Sequence, residues 1–208
     1  MRLTPTFELS QAAEANFPTE YGLFRIYGFE GHFHAAGRDQ LEEAVVLTMG
    51  DLSGPPPLIR IHSECLTGDV FHSLRCDCRA QLEIALEEIG REGRGMIIYE
   101  HQEGRGIGLM NKLRAYELQD RGADTVEANE QLGFESDLRN YQLPGAILAH
   151  FGLCSVRLLS NNPEKVKAIE DAGVIVAERV PCIAEPHASR ETYLETKRSK
   201  MGHLLAPP

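Results

Sequence analysis

Residues 57–108 read PLIRIHSECLTGDVFHSLRCDCRAQLEIALEEIGREGRGMIIYEHQEGRGIG, and the hydrophobic period switches repeatedly along them. LIRIHS, entered from the proline-rich turn Gly54 to Pro57, predicts a strand over 58–63. From Gln81 to Ile89 the apolar residues Leu82, Ala85, Leu86 and Ile89 recur at three- and four-residue spacing, which predicts a helix that Gly93 and Gly95 stop. MIIY at 96–99 is a short apolar run with glycines behind and charges ahead, so it predicts a buried strand feeding the loop His101 to Gly108.

The same alternation continues outward. A helix over about Leu109 to Gln119 carries Leu109, Leu113 and Tyr116 on one face and ends near Gly122. Val156 to Leu159 reads as a strand, and Asn161 or Asn162 caps a helix that starts at Pro163. Val166, Ile169 and Ala172 line its inner face, Gly173 stops it, and Val174 to Val176 resumes a strand. Strands alternating with helices predict an α/β domain. The first fifty residues and the tail after Pro181 give weaker patterns and no place in a sheet order.

The chain has 208 residues, 42% of them hydrophobic, enough for one compact globular domain with a substantial core. With 21 basic against 31 acidic residues the formal charge is -10, which argues against nucleic acid and anionic membranes as partners. Met1 to Gln11 lacks a basic flank followed by an apolar run, and no stretch approaches the ~20 apolar residues that a membrane span needs. Five cysteines, an odd number, make a disulfide framework a poor reading, so the cytoplasm is the expected compartment. Any anionic ligand needs a local cationic pocket.

Three of those cysteines, Cys65, Cys76 and Cys78, fall in SECLTGDVFHSLRCDCRAQ, close enough to converge on one zinc ion. Closed structural zinc sites show four ligands, whereas three protein ligands leave a position for water. The competing readings are a closed site completed by His62, His72 or Asp77, and three unrelated buried cysteines. Three thiolates around Zn²⁺ carry a formal charge of about -1, so an adjacent acid or base has to assist, and Glu64 is the nearest candidate. His62-Ser63-Glu64 matches half of a zinc deaminase signature, but the Pro-Cys-x-x-Cys half is missing. The EGRGIG loop at 103–108, between strand and helix, offers backbone N–H groups to an anion or is simply a turn.

RIHSECLTGDVFHSLRCDC, HQEGRGIGLMNKLRAYELQD, DTVEANEQLGF and TKRSKMGHLL together resemble the GTP cyclohydrolase II family. The likeness spans 1–208 as one domain, is strongest over 60–205, and implies a mixed β-sheet flanked by helices. It implies hydrolytic opening of the guanine imidazole ring of GTP with loss of formate and pyrophosphate, giving 2,5-diamino-6-ribosylamino-4(3H)-pyrimidinone 5′-phosphate, the first step of riboflavin synthesis. It also implies catalytic Zn²⁺ on Cys65, Cys76 and Cys78, Mg²⁺ on the GTP phosphates, and a homodimer. Carried over residue by residue, Arg60, Ile61, His62, Ser63, Glu64, Gln81, Glu103, Gly104, Arg105, Thr125, Ser160 and Lys165 contact GTP, and Tyr116, Asp137 and Arg139 are catalytic. Ser160 stands where threonine is common in the family, and EPHASRETYL departs from the usual asparagine-rich version.

Without the likeness, Tyr116 reads as a core aromatic, Asp137 and Arg139 as a surface pair, Lys165 as solvated and Thr125 as a turn cap. Two other functions fit the same residues: a paralogue that stops at the formamidopyrimidine, and a zinc-stabilised binding protein without turnover.

Overall fold

A computed structural model describes residues 6–205 except 36, 37, 136 and 186. Its centre is a mixed seven-stranded sheet in the order β1-β2-β3-β5-β4-β6-β7. The strands are β1 (Thr6–Thr19), β2 (Gly22–Ala35), β3 (Arg38–Met49), β4 (Leu58–Ser63), β5 (Gly95–Glu100), β6 (Ser155–Leu159) and β7 (Ile175–Val180). β1, β2, β3 and β5 pair antiparallel, and β5, β4, β6 and β7 pair parallel. The helices are α1 (Leu66–Asp69), α2 (Cys78–Glu92), α3 (Leu109–Asp120), α4 (Thr125–Gln131), α5 (Gln142–His150), α6 (Pro163–Asp171) and α7 (Glu191–Met201).

The two-residue alternation of the strands divides the core. Ile59 and Ile61 of β4, Met96 and Ile98 of β5, and Val156 and Leu158 of β6 pack with Ile147 and Leu148 of α5 and Ile169 of α6. Leu58, Ile97 and Leu159 face the other way and pack on Ala85 and Ile89 of α2. Each fully buried Ile or Leu contributes about 1.5–3 kcal/mol through removal of apolar surface from water. Gly93 closes α2 in the left-handed region at φ 66, where a side chain would be strained. Asn162 caps α6 by accepting from Glu164 N–H at 2.9 Å, with Pro163 in the first turn, as its sequence predicts.

Differences from the sequence reading lie where burial is one-sided or absent. The first fifty residues hold three long antiparallel strands, and most described side chains of β1 are exposed, which leaves little apolar alternation to read. On α3 the buried residue is Ala115, while Leu113 is 43% exposed, because this helix packs against α4 and the turn Glu103–Gly106 and contributes to neither hydrophobic cluster. Thr125 is the first residue of α4 and not its cap; Asp124 caps it, accepting from Val126 N–H and Glu127 N–H. Ala172 is exposed at the end of α6. No helix among the described residues is long and apolar enough to cross a membrane.

β4, β5 and β6 run parallel side by side, so their carboxyl ends open onto one edge of the sheet. The loops at 64–77, 101–108 and 160–162 leave from there, the position where open α/β sheets bind ligands.

Candidate active site

The chain leaves β4 with Glu64 N–H still bonded to Glu100 O at 2.8 Å, which carries Cys65 to the end of β5. Asp69 then folds the single turn of α1 back: its Oδ2 accepts from Cys65 N–H at 3.1 Å and from Tyr99 O–H at 2.9 Å. His62 Nε2 lies 3.3 Å from the same carboxylate, and its ring stacks on Tyr99 at 5.4 Å between centroids. Burial pushes the His62 imidazole below its ordinary pKa against the pull of Asp69, so it is a neutral buttress. Cys76 and Cys78 arrive from the other side, Cys78 in the first turn of the 15-residue α2, whose N-terminal dipole favours a thiolate.

The Sγ atoms of Cys65, Cys76 and Cys78 all lie within 4.8 Å of one another, with Cys65 and Cys76 3.6 Å apart. Tetrahedral zinc with bonds of about 2.3 Å separates its sulfurs by about 3.8 Å, so the donor set fits that ion. A Cβ at Gly68 would sit 3.0 Å from Cys76 Sγ and 3.1 Å from Cys65 Sγ; the absence of a side chain keeps room beside the thiols. Among the described residues no histidine or carboxylate joins this group. The three candidates for a closed site are engaged elsewhere: His62 with Asp69, His72 with Arg79 at 2.6 Å, and Asp77 with Lys197 at 2.8 Å.

Hydrogen bonds from Cys76 and Cys78, together with the Lys112 ammonium, hold the Cys65 thiol far below its ordinary pKa, while the hydrogen bond to Cys65, burial and the Cys65 charge push Cys76 up to about 11. Lys112 Nζ stands 3.1 Å from Cys65 Sγ and 2.7 Å from Glu103 Oε1, placing a cation against the thiolate charge. Tyr116, one helical turn further along α3, reaches Thr67 Oγ1 with its hydroxyl at 3.1 Å, and Thr67 Oγ1 is 3.7 Å from Cys65 Sγ. Tyr116 therefore sits at the thiol group and not in the core.

A cavity of about 520 Å³ opens in front of the thiols, within the range of small-molecule sites. All of the sequence-derived substrate and catalytic residues line it except Ile61 and Asp137. The Ile61 side chain is in the core, and only its carbonyl faces the site, accepting from Lys165 Nζ at 2.9 Å. Asp137 stands behind Arg139, accepting from Arg139 Nε at 2.9 Å and from its backbone N–H at 3.1 Å. Neither partner makes an isolated surface pair, since the Arg139 side chain is 13% exposed. Burial works against ionisation of Asp137, but the Arg139 guanidinium holds its carboxyl below the usual range.

Cations line the opposite wall. Arg60, buried on β4, donates to Leu159 O at 3.0 Å and to Gln81 Oε1 at 2.6 Å, and Gln81 Nε2 donates to Asp77 Oδ2. Lys165 is buried rather than solvated, its ammonium also 3.2 Å from Ser63 Oγ. Burial, with Arg139 and Arg60 nearby, pushes it well below the usual lysine range, and an anion entering the cavity would favour its charged form. Ser160 Oγ accepts from Asn162 N–H at 3.1 Å, using its hydroxyl to shape the turn into α6.

The loop after β5 differs from a plain anion cradle. Gly104 and Arg105 both take left-handed backbone angles, φ 63 and φ 64, but Gly104 N–H is occupied by Glu103 Oε1 at 2.8 Å. Glu103 also accepts from Leu66 N–H at 2.7 Å, so its carboxylate ties the glycine loop to the thiol loop. Sequence reasoning missed Lys112, Asp69, Thr67 and Lys197. Lys112 was legible only as the residue four before Tyr116 on one helical face, and the others carried no motif.

The sequence model of the family described as GTP cyclohydrolase II matches residues 10–181. A GTP cyclohydrolase-2 of Shewanella amazonensis is 51% identical over 95% of this chain and 94% of its own length. Those of Salmonella typhimurium and Yersinia pseudotuberculosis are 52% and 53% identical over 96% and 95% of this chain, and cover 99% and 98% of their own. Among solved structures, a two-domain 3,4-dihydroxy-2-butanone 4-phosphate synthase from A. baumannii aligns at 16% identity and a TM-score of 0.44, over 85% of this chain and 40% of that one. On the match across the sheet and the thiol cluster alike, the chain belongs to the GTP cyclohydrolase II family.

Proposed function

We propose that this protein hydrolyses GTP, releasing formate from the guanine imidazole ring and pyrophosphate from the triphosphate, to give 2,5-diamino-6-ribosylamino-4(3H)-pyrimidinone 5′-phosphate for riboflavin synthesis. The observation that carries this reading is the convergence of Cys65, Cys76 and Cys78 without a fourth protein ligand among the described residues, facing a cavity lined by Arg60, Arg105, Arg139 and Lys165. Cys65, Cys76 and Cys78 would hold one zinc ion, which when bound supplies Lewis acidity for water at its open position. Mg²⁺ accompanies the phosphates.

Three waters are consumed: one adds at the ring carbon and opens the ring to a formamide, one hydrolyses that formamide to formate, and one cleaves between the α- and β-phosphates. The residues divide along those steps. Lys112, beside the Cys65 sulfur, offsets the negative charge of three thiolates and fixes Glu103. Tyr116, hydrogen-bonded to Thr67 next to Cys65, positions water for formamide hydrolysis. Gln81, steadied by Arg60 and Asp77, keeps one amide proton and one lone pair for the guanine edge.

At the phosphates, Arg139 stabilises charge developing on the α-phosphate. Asp137 is a poor base because Arg139 occupies its carboxylate, so its work is to orient the guanidinium. Glu64 remains a candidate proton carrier at the edge of the cavity. We place the protein in the cytoplasm, where its cysteines, all unpaired, stay reduced. The family likeness and the exposed Leu23 and Leu41 of the antiparallel arm support a homodimer, which sedimentation tests.

The deciding assay supplies GTP and Mg²⁺ to protein with zinc retained or chelated and follows formate and pyrophosphate together. Equal release of both, lost on chelation, is the expected result. GTP consumption without formate would identify the formamidopyrimidine-forming paralogue, and binding without any product a non-catalytic zinc protein.

A further inference from the structure

The segment from α7 to Leu205 closes one side of the cavity without joining the core. Neither hydrophobic cluster includes a residue from 191–205. Its anchors are polar: Lys197 to Asp77 at 2.8 Å, Lys200 to Glu127 at 3.2 Å, and Leu204 N–H to Asn161 O at 2.9 Å. The segment packs in neither hydrophobic cluster, so breaking the Lys197–Asp77 pair and the few other polar contacts frees it without opening the sheet.

Gly202, in the left-handed region at φ 63, ends α7 and turns His203 toward the cavity wall that also holds Arg105, Arg139 and Lys197. Both ring nitrogens of His203 are shut off from solvent and lack a hydrogen-bond partner. A buried polar group left unpaired is costly, and two on one ring need a reason. Burial and the neighbouring Lys197 and Arg139 push this imidazole down to about 3, which keeps it neutral with one donor and one acceptor idle. Of the charged groups that act on it, Lys197, Arg139 and Arg105 are cations and Asp77, already paired with Lys197, is the anion, so the ligand that satisfies it is anionic and rich in acceptors.

We propose that residues 191–205 are a lid over the nucleotide site and that His203 donates a hydrogen bond to the polyphosphate of the bound nucleotide when the lid closes. This rests on GTP being the substrate. The His203 ring makes no hydrogen bond that its removal would break, so it differs from a structural histidine in a measurable way: His203→Ala keeps the zinc content of the parent and nearly all of its stability.

The test uses full-length, zinc-loaded protein. His203→Ala and His203→Gln are compared with the parent for GTP and guanosine affinity by calorimetry, for KM and kcat by formate release, and for amide hydrogen exchange over 191–205 with and without GTP. The expected result is about tenfold weaker GTP binding in His203→Ala, from loss of one charge-assisted hydrogen bond. Guanosine affinity stays unchanged, His203→Gln recovers part of the loss, and GTP slows exchange in the segment. Unchanged GTP affinity in His203→Ala, equal losses for GTP and guanosine, or exchange indifferent to GTP would each overturn the proposal. A parent protein that binds GTP yet releases no formate refutes the cyclohydrolase reading instead, and the binding and exchange arms still decide the lid.

Discussion

Lys197 Nζ lies 2.8 Å from Asp77 Oδ1, and this buried ion pair joins the final helix to the residue between Cys76 and Cys78. The Asp77 carboxylate passes the constraint on through Gln81 to Arg60 of β4. Tail, thiol loop and sheet are thus held in one polar chain.

Removing one end of that pair is expected to be costly. Lys197→Met leaves a nearly inaccessible carboxylate uncompensated, for a loss of about 3–5 kcal/mol in denaturant unfolding. Lys197→Met with Asp77→Asn recovers a large part of it, because the second change removes the stranded charge. A double variant no more stable than the single one contradicts this account.

Gly68 leaves the space that the thiols use. Gly68→Ala brings a methyl to 3.0 Å from Cys76 Sγ and 3.1 Å from Cys65 Sγ. Zinc affinity, measured by competition with a chromogenic chelator, is expected to fall about tenfold to a hundredfold, the scale of a displaced ligand shell, with the unfolding midpoint of metal-free protein little changed. Cys76→Ser goes further and loses both bound zinc and formate release while the sheet still folds, since the core clusters do not include Cys76.

The parallel half of the sheet was legible because β4 and β5 are buried on both faces and β6 largely on one, which leaves LIRIHS, MIIY and VRLL as short β-type segments rich in Ile, Leu and Val. The thiol triad was legible because its members are close in sequence. What escaped notice depends on residues distant in the chain: Lys112 meets Cys65 across 47 positions and Lys197 meets Asp77 across 120. Lysines in helices ordinarily read as solvated, and only the folded chain turns Lys112, Lys165 and Lys197 inward. The antiparallel arm was missed for the opposite reason, since most described side chains of its outer strand β1 are exposed and leave no apolar period to read.

Glu100 imposes a pH dependence on stability. It is fully buried at the end of β5, and burial, reinforced by Glu42 and opposed by Lys165 and Arg139, pushes its carboxyl up to about 8. A carboxyl with a raised folded-state pKa favours the folded form while protonated. That contribution is complete below the unfolded value of about 4.5 and is lost as pH rises to about 8. Unfolding free energies measured from pH 5 to 9 are expected to decline more steeply in the parent than in Glu100→Gln, with the variant the more stable of the two above pH 8. Parallel curves would show that Glu100 is charged throughout.

Arg139 is expected to act as a cation at the α-phosphate and not as a nucleophile. Its Nε donates to Asp137 Oδ1 at 2.9 Å, and this carboxylate outweighs burial and lifts the guanidinium above its ordinary pKa. A protonated guanidinium has no lone pair to attack phosphorus. Rapid quench of the enzyme during turnover of GTP, followed by mass spectrometry under conditions that preserve phosphoramidates, should yield no phosphorylated Arg139. Arg139→Lys keeps the charge but loses the planar fork that Asp137 orients, so pyrophosphate release should fall about a hundredfold or more. Asp137→Asn should cost less, because the guanidinium persists with a looser orientation. A trapped phosphoryl-arginine, or Asp137→Asn more damaging than Arg139→Lys, would overturn this and make Arg139 a nucleophile.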